Sequence, residues 1–189
     1  MPDLIGLVKS FDCDQRTGVK EIYIGKYNEV ASITFDASTR EVATLAMSVG
    51  NKGYKIEVDE DETSLASTGN GSFGTRSTHL LQMSIYKVGK TVREIVQSMD
   101  LNSCMFAIVK YYNGKAFLVG CDLDSTNSDD PYDWRKKLNA SSTETSGIVT
   151  DTGETAVPKI IRGYQWTQDY APLEMAADFN YGTFTTVVS

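Results

Sequence analysis

A mainly β protein with one flanking α-helix, an α+β fold of antiparallel strands, is what the chain predicts. Three observations carry this. Short β-prone runs follow one another from Val19 onward with short connections; a single strong amphipathic helix sits near residue 92; and Asn113-Gly114 joins two apolar runs, the strongest short hairpin signal. Short connections favour antiparallel meanders over crossover units.

Taken in order, Val19–Ile24, Val30–Phe35, Glu41–Val49 and Tyr54–Val58 read as strands, separated by Gly25, by Ala37-Ser38-Thr39 and by Gly50-Asn51-Lys52-Gly53. Ile33 and Phe35, then Tyr54, Ile56 and Val58, alternate as on a sheet with one wet face. Residues 60–78 are polar, with Leu65 and Phe73 their only large apolar side chains and Gly69-Asn70-Gly71 an evident turn. Such a stretch is either disordered or an extended hairpin that gains partners in an assembly. From His79 to Val88 the chain is apolar again, with Leu81, Met83, Ile85 and Lys87 on one face.

Thr91-Val92-Arg93-Glu94 fits a capping box, and Val92, Ile95, Val96 and Met99 form one apolar stripe on the helix behind it. Cys104–Tyr112 and Lys115–Gly120 follow as hairpin strands. A two-residue turn there sets Cys104 opposite Leu123 and Cys121 opposite Phe106. Residues 122–145 form a second long polar stretch, a length usually reserved for functional or mobile loops. Ile148–Thr150 and Thr155–Ile161 frame Asp151-Thr152-Gly153 as a hairpin, and Ala171–Asn180 reads as a short helix with Pro172 in its first turn. With no repeat or linker, residues 1–189 read as a single domain with long excursions at about 60–78 and 122–145.

Composition narrows the function. A hydrophobic content of 41% over 189 residues is enough to bury a core. There is no run of membrane-spanning length, and the start Met1-Pro2-Asp3-Leu4-Ile5 lacks the basic, apolar layout of a secretory signal, which points to folding in a cytoplasm. Three cysteines without framework spacing then read as reduced thiols. A net charge of −7, relieved only by Arg135-Lys136-Lys137, argues against a surface that grips phosphate backbones.

Chemical motifs mostly fail. Gly69-x-Gly71-x-x-Gly74 matches the dinucleotide fingerprint in letters but lacks a following helix, and a hairpin tip fits better. Gly89-Lys90-Thr91 resembles the end of a phosphate loop whose first glycine would fall at Ser84, inside a strand. Asp122, Asp124, Asn127, Asp129 and Asp130 invite calcium, yet the sharp-turn glycine and closing glutamate are missing, so a solvated loop fits better. His79, the only histidine, has no partner nearby in sequence and reads as structural or surface. No catalytic residue, cofactor or metal site is expected, and the chain reads as no enzyme.

The order of motifs resembles small virion proteins of tailed phages infecting Bacteroidetes, of the tail-tube or tail-ring type. Leu4–Cys13, Gly18–Ile24, Ser77-Thr78-His79-Leu80-Leu81, Met105–Val109 with Asn113-Gly114-Lys115, and Leu138–Gly147 reaching Thr150-Asp151-Thr152-Gly153 carry the likeness. The resemblance implies an antiparallel β-sandwich or barrel, a sandwich partly closed like a barrel with one helix on its flank, that self-assembles into stacked rings, commonly hexamers. These rings would join other tail or connector proteins and conduct phage DNA non-specifically, with the subunit assembled in the host cytoplasm. Leu65, Phe73, Tyr132 and Trp134 are then candidate assembly contacts. Asp59, Glu60, Asp61 and Glu62, or Asp122, Asp124, Asp129 and Asp130, are candidate lumen or inter-ring carboxylates, since an acidic lumen repels DNA. A head–tail connector ring, a calcium-dependent carbohydrate-binding β-sandwich using Tyr132 and Trp134, and an acid-pair hydrolase using Asp122 and Asp124 are the competing expectations.

Overall fold

The computed structural model describes residues 18–36, 38–39, 41–59, 62–69, 77–85, 89–101, 105–120, 141–144, 148–150, 158–168 and 172–187. Within them the protein is mainly antiparallel β with one long helix. The strands are β1 (Val19–Lys26), β2 (Val30–Phe35), β3 (Val42–Met47), β4 (Gly53–Ile56), β5 (Ser64–Gly69), β6 (Ser77–Ile85), β7 (Met105–Tyr111) and β8 (Ala116–Val119). After them come β9 (Ser141–Glu144), β10 (Ile148–Thr150), β11 (Pro158–Gln168), β12 (Leu173–Glu174) and β13 (Thr185–Val187). The helices are α1 (Lys90–Leu101) and the single turn α2 (Tyr181–Phe184).

Six strands form one sheet in the order β12-β8-β7-β1-β4-β13, and a second sheet runs β10-β11-β6-β5 with β9 also on β11. β2 and β3 make a separate ribbon. A simple meander is therefore not what forms: β4 returns to β1 past the ribbon, and β13 joins β4 in parallel. The ribbon turns Val30, Ile33, Phe35, Val42, Leu45 and Met47 toward the core while Thr34 and Thr44 stay exposed. Trp166 on β11 donates its indole N–H to the Met105 carbonyl on β7 at 2.9 Å, a buried bond that ties the two large sheets together. A Cβ on Gly120 would fall 3.0 Å from the Phe106 backbone and 3.2 Å from that indole nitrogen, so this junction needs glycine.

α1 buries Val92 and Val96 with Ile95 half-buried, as the stripe predicts; the Met99 side chain lies outside the described part. Its cap differs from the expected box. Arg93 N–H already donates to the Gly89 carbonyl at 3.1 Å, so Gly89 is the N-cap and Thr91 lies inside the first turn. Glu94 instead lies 3.8 Å from Lys90, one turn back.

The Asn113-Gly114 hairpin forms one register away from expectation, pairing Ala107 with Val119 and Val109 with Phe117. Tyr111 accepts from Gly114 N–H at 3.2 Å and donates to the Lys115 carbonyl at 2.8 Å, with Gly114 at φ +86°. This is a three-residue loop, Tyr112-Asn113-Gly114, closed by a left-handed glycine rather than a two-residue turn. Cys13, Cys104 and Cys121 lie outside the described residues.

The expected helix over 171–180 is absent from its described part. Leu173, Met175 and Phe179 repeat at even spacing, and two strands capture the backbone between them: Met175 N–H donates to Ala116 at 2.8 Å and Ala176 N–H to Val42 at 3.0 Å. β11 also runs well past Ile161, because Ile160, Tyr164 and Trp166 keep the two-residue alternation and are all buried.

Candidate functional site

The expected arm begins with a strand bound within the chain. β5 pairs with β6 from Ser64↔Gln82 to Gly69↔Ser77. It ends the order of its sheet, and among the described residues no strand pairs with its far side. Ser64, Ala66, Ser67 and Thr68 are exposed, whereas Leu65 stands opposite Leu81 and packs against the core. β6 begins at Ser77, just after the fingerprint letters, so among the described residues no helix N-terminus stands there to meet pyrophosphate.

The acidic run before β5 splits. Asp59 is half-buried and its N–H donates to the Ser84 carbonyl at 2.8 Å. Glu62 accepts both carboxylate bonds from Lys159 Nζ, at 2.7 and 2.8 Å, and a third from the Ser84 hydroxyl at 2.9 Å. Here the lysine is the buried partner, with its side chain 8% exposed against 41% for the acid. The bonds from Lys159 and then Ser84 hold the Glu62 carboxyl below its ordinary value, against the opposing charge of Asp59. Ser84 N–H, in turn, donates to the Thr63 hydroxyl at 3.2 Å.

A second cluster lies on the six-stranded sheet, where the pairing puts Glu21 and Tyr23 of β1 on one face with Lys55 of β4 and Lys110 of β7. Glu21 accepts from Lys55 Nζ at 2.7 Å and from the Tyr23 hydroxyl at 2.6 Å, with Lys110 Nζ at 3.8 Å. Tyr181 of α2 closes over it, stacked on Tyr23 at 4.7 Å and lying under the Lys110 ammonium at 4.7 Å. Burial pulls the Glu21 pKa upward, but the bonds from Lys55 and Tyr23 and the charges of both lysines outweigh it, and the net shift is down. Burial, then the bond to Glu21, raises the Tyr23 phenol; burial and the Glu21 charge push Tyr181 up to about 12. Phenols held protonated in this way are braces rather than bases.

His79 is fully buried on β6 and shares a 2.8 Å hydrogen bond with Ser67 of β5, so it is a core histidine. Among the described residues no three His, Cys, Asp or Glu side chains come together as a metal-binding group, and no helix is long and apolar enough to cross a membrane. A groove of about 270 Å3 opens between α1 and the β1–β4 end of the sheet, lined among others by Ile24, Tyr54, Ile95 and Met105.

Of the candidate residues, Asp59, Glu62 and Leu65 are brought together around the start of β5. Glu60, Asp61, Phe73, Tyr132, Trp134, Asp122, Asp124, Asp129 and Asp130 lie outside the described residues. Sequence reasoning missed Lys159, Glu21 and Tyr181, whose partners are 97, 34 and more than 150 positions distant or reached only through sheet pairing. No family model, curated protein or solved structure matches the chain.

Proposed function

We propose that the chain is a virion structural protein of the tail-tube or tail-ring type, a subunit that assembles into rings around a channel for phage DNA. The observation that carries this reading is the polar strand β5, which ends its sheet among the described residues and belongs to the 60–78 excursion. A strand edge of this kind pairs with another chain unless something covers it, and a closed ring satisfies every such edge at once. The antiparallel β body with one flanking helix is the architecture the sequence resemblance implies. A net charge of −7 suits a wall that DNA passes without adhering.

Assembly, not turnover, is the activity in this reading. Lysine–carboxylate clusters at Glu21 and Glu62 brace strands, and the one histidine is enclosed. Negative-stain electron microscopy of the purified protein over a concentration series is the test. Rings or stacked tubes with an open channel are the expected result, and their symmetry separates a tube from a connector. A persistent monomer that is stabilised by calcium and binds glycans would replace this reading with the carbohydrate module.

A further inference from the structure

The groove beside α1 has a counterpart on the same molecule. Among the described residues Val49 and Tyr54 are the large apolar side chains left exposed, at 104% and 36%. Tyr54 forms part of the groove wall with Ile24, Ile95 and Met105, and Glu94 stands at the α1 side. Val49 sits on the turn between β3 and β4. That turn is tied by Ser48 N–H to the Glu29 carbonyl at 2.7 Å and by Asn51 N–H to the Ser48 carbonyl at 2.9 Å, with Gly50 at φ +86°. A turn already held in shape presents its isopropyl group to water and gives up little freedom on docking.

Charge follows the same pairing. Lys52 is exposed three residues after Val49. Glu94 is exposed on the groove side, and its contact with Lys90 is a 3.8 Å surface pair that yields readily to another cation. Lys26, on the β1 side of the groove, lies 3.6 Å from Glu29, so the cation on that wall is already offset and Glu94 on the α1 side is the lining charge that can meet Lys52.

We infer that the Ser48–Asn51 turn of one copy seats Val49 in the groove between α1 and β4 of a second copy, with Lys52 meeting Glu94. The inference rests on the ring reading and names a subunit contact for it. A volume of about 270 Å3 accepts a valine side chain with part of its turn. Burial of the valine adds to the affinity of the larger ring contact, and the flanking charges set the register.

Sedimentation velocity on the full chain across a concentration series, paired with electron microscopy, tests it. Val49→Glu places a carboxylate in an apolar groove beside Glu94 and is expected to weaken association by about tenfold or more. Lys52→Glu and Glu94→Lys are each expected to weaken it about three- to tenfold, and the two together to restore it. All three side chains are exposed, so thermal midpoints of the Val49→Glu and Lys52→Glu monomers stay close to the parent's, and Glu94→Lys, which sets two lysines one turn apart, lowers its midpoint only slightly. Rings that form from Val49→Glu as readily as from the parent chain overturn this contact and leave the ring reading intact. A parent chain that stays monomeric at every concentration overturns both.

Discussion

Glu21 and Glu62 are both clamped by lysine, with burial reversed between them. At Glu62 the acid is partly in water and the ammonium of Lys159 is enclosed; at Glu21 the acid is the more enclosed group, shared among Lys55, Lys110 and the Tyr23 hydroxyl. The difference decides which partner matters. A buried charge that loses its counter-ion keeps its desolvation penalty, whereas an exposed one rehydrates. Several groups share the charge of Glu21, whereas at Glu62 it is the cation that lies enclosed.

The largest effect is expected at Glu62→Ala, about 2–3 kcal/mol of stability by denaturant titration, because the enclosed Lys159 ammonium loses two short bonds while its desolvation penalty remains. Lys159→Met should cost about 1 kcal/mol or less, since Glu62 turns to water and the methionine keeps the packed stem. Equal losses from the two substitutions would break the asymmetry.

At the other cluster Glu21→Ala should cost about 1–2 kcal/mol, leaving two like charges to separate. Lys55→Met and Lys110→Met should each cost less than about 1 kcal/mol, because the other lysine remains. A large loss from either lysine alone would show that the cluster is not redundant.

Acid sharpens the comparison next. Both carboxyls titrate below the ordinary 4.5 when folded, so in acid the unfolded chain takes up protons first. Stability is expected to be fully present above that value and to fall as pH drops through the folded values. The double variant Glu21→Gln, Glu62→Gln should flatten the fall, and an unchanged profile would assign it to other carboxyls. The last effect shows only in alkali: Tyr181 is pushed up from 10.0 to about 12, so its share of stability is lost as pH rises above 10. Tyr181→Phe should remove that share in a thermal scan at high pH.

Legibility in sequence followed locality. The α1 stripe, the β2 strand and the buried alternation of Leu81, Met83 and Ile85 are set by neighbours a few residues apart, and they were readable. The Leu173–Phe179 segment reads as helix in sequence because Pro172 is tolerated in a first turn. The edges of β8 and of the ribbon outbid that propensity by accepting its N–H groups. The hairpin after α1 was placed correctly but shifted by one residue, since Asn-Gly closes two- and three-residue loops alike. At the candidate site, the acidity of Asp59 and Glu62 was legible, but not that Glu62 is bound to Lys159.

From the sequence alone came the β-rich class, the one amphipathic helix, the hairpin position and the charge balance, all products of periodicity and short-range turn chemistry. Tertiary structure alone decided that β4 skips the ribbon to pair with β1, that β5 ends its sheet, and which lysine each acid holds. Those outcomes depend on sheet order and on burial, which bring together groups far apart in the chain, and no local pattern encodes either.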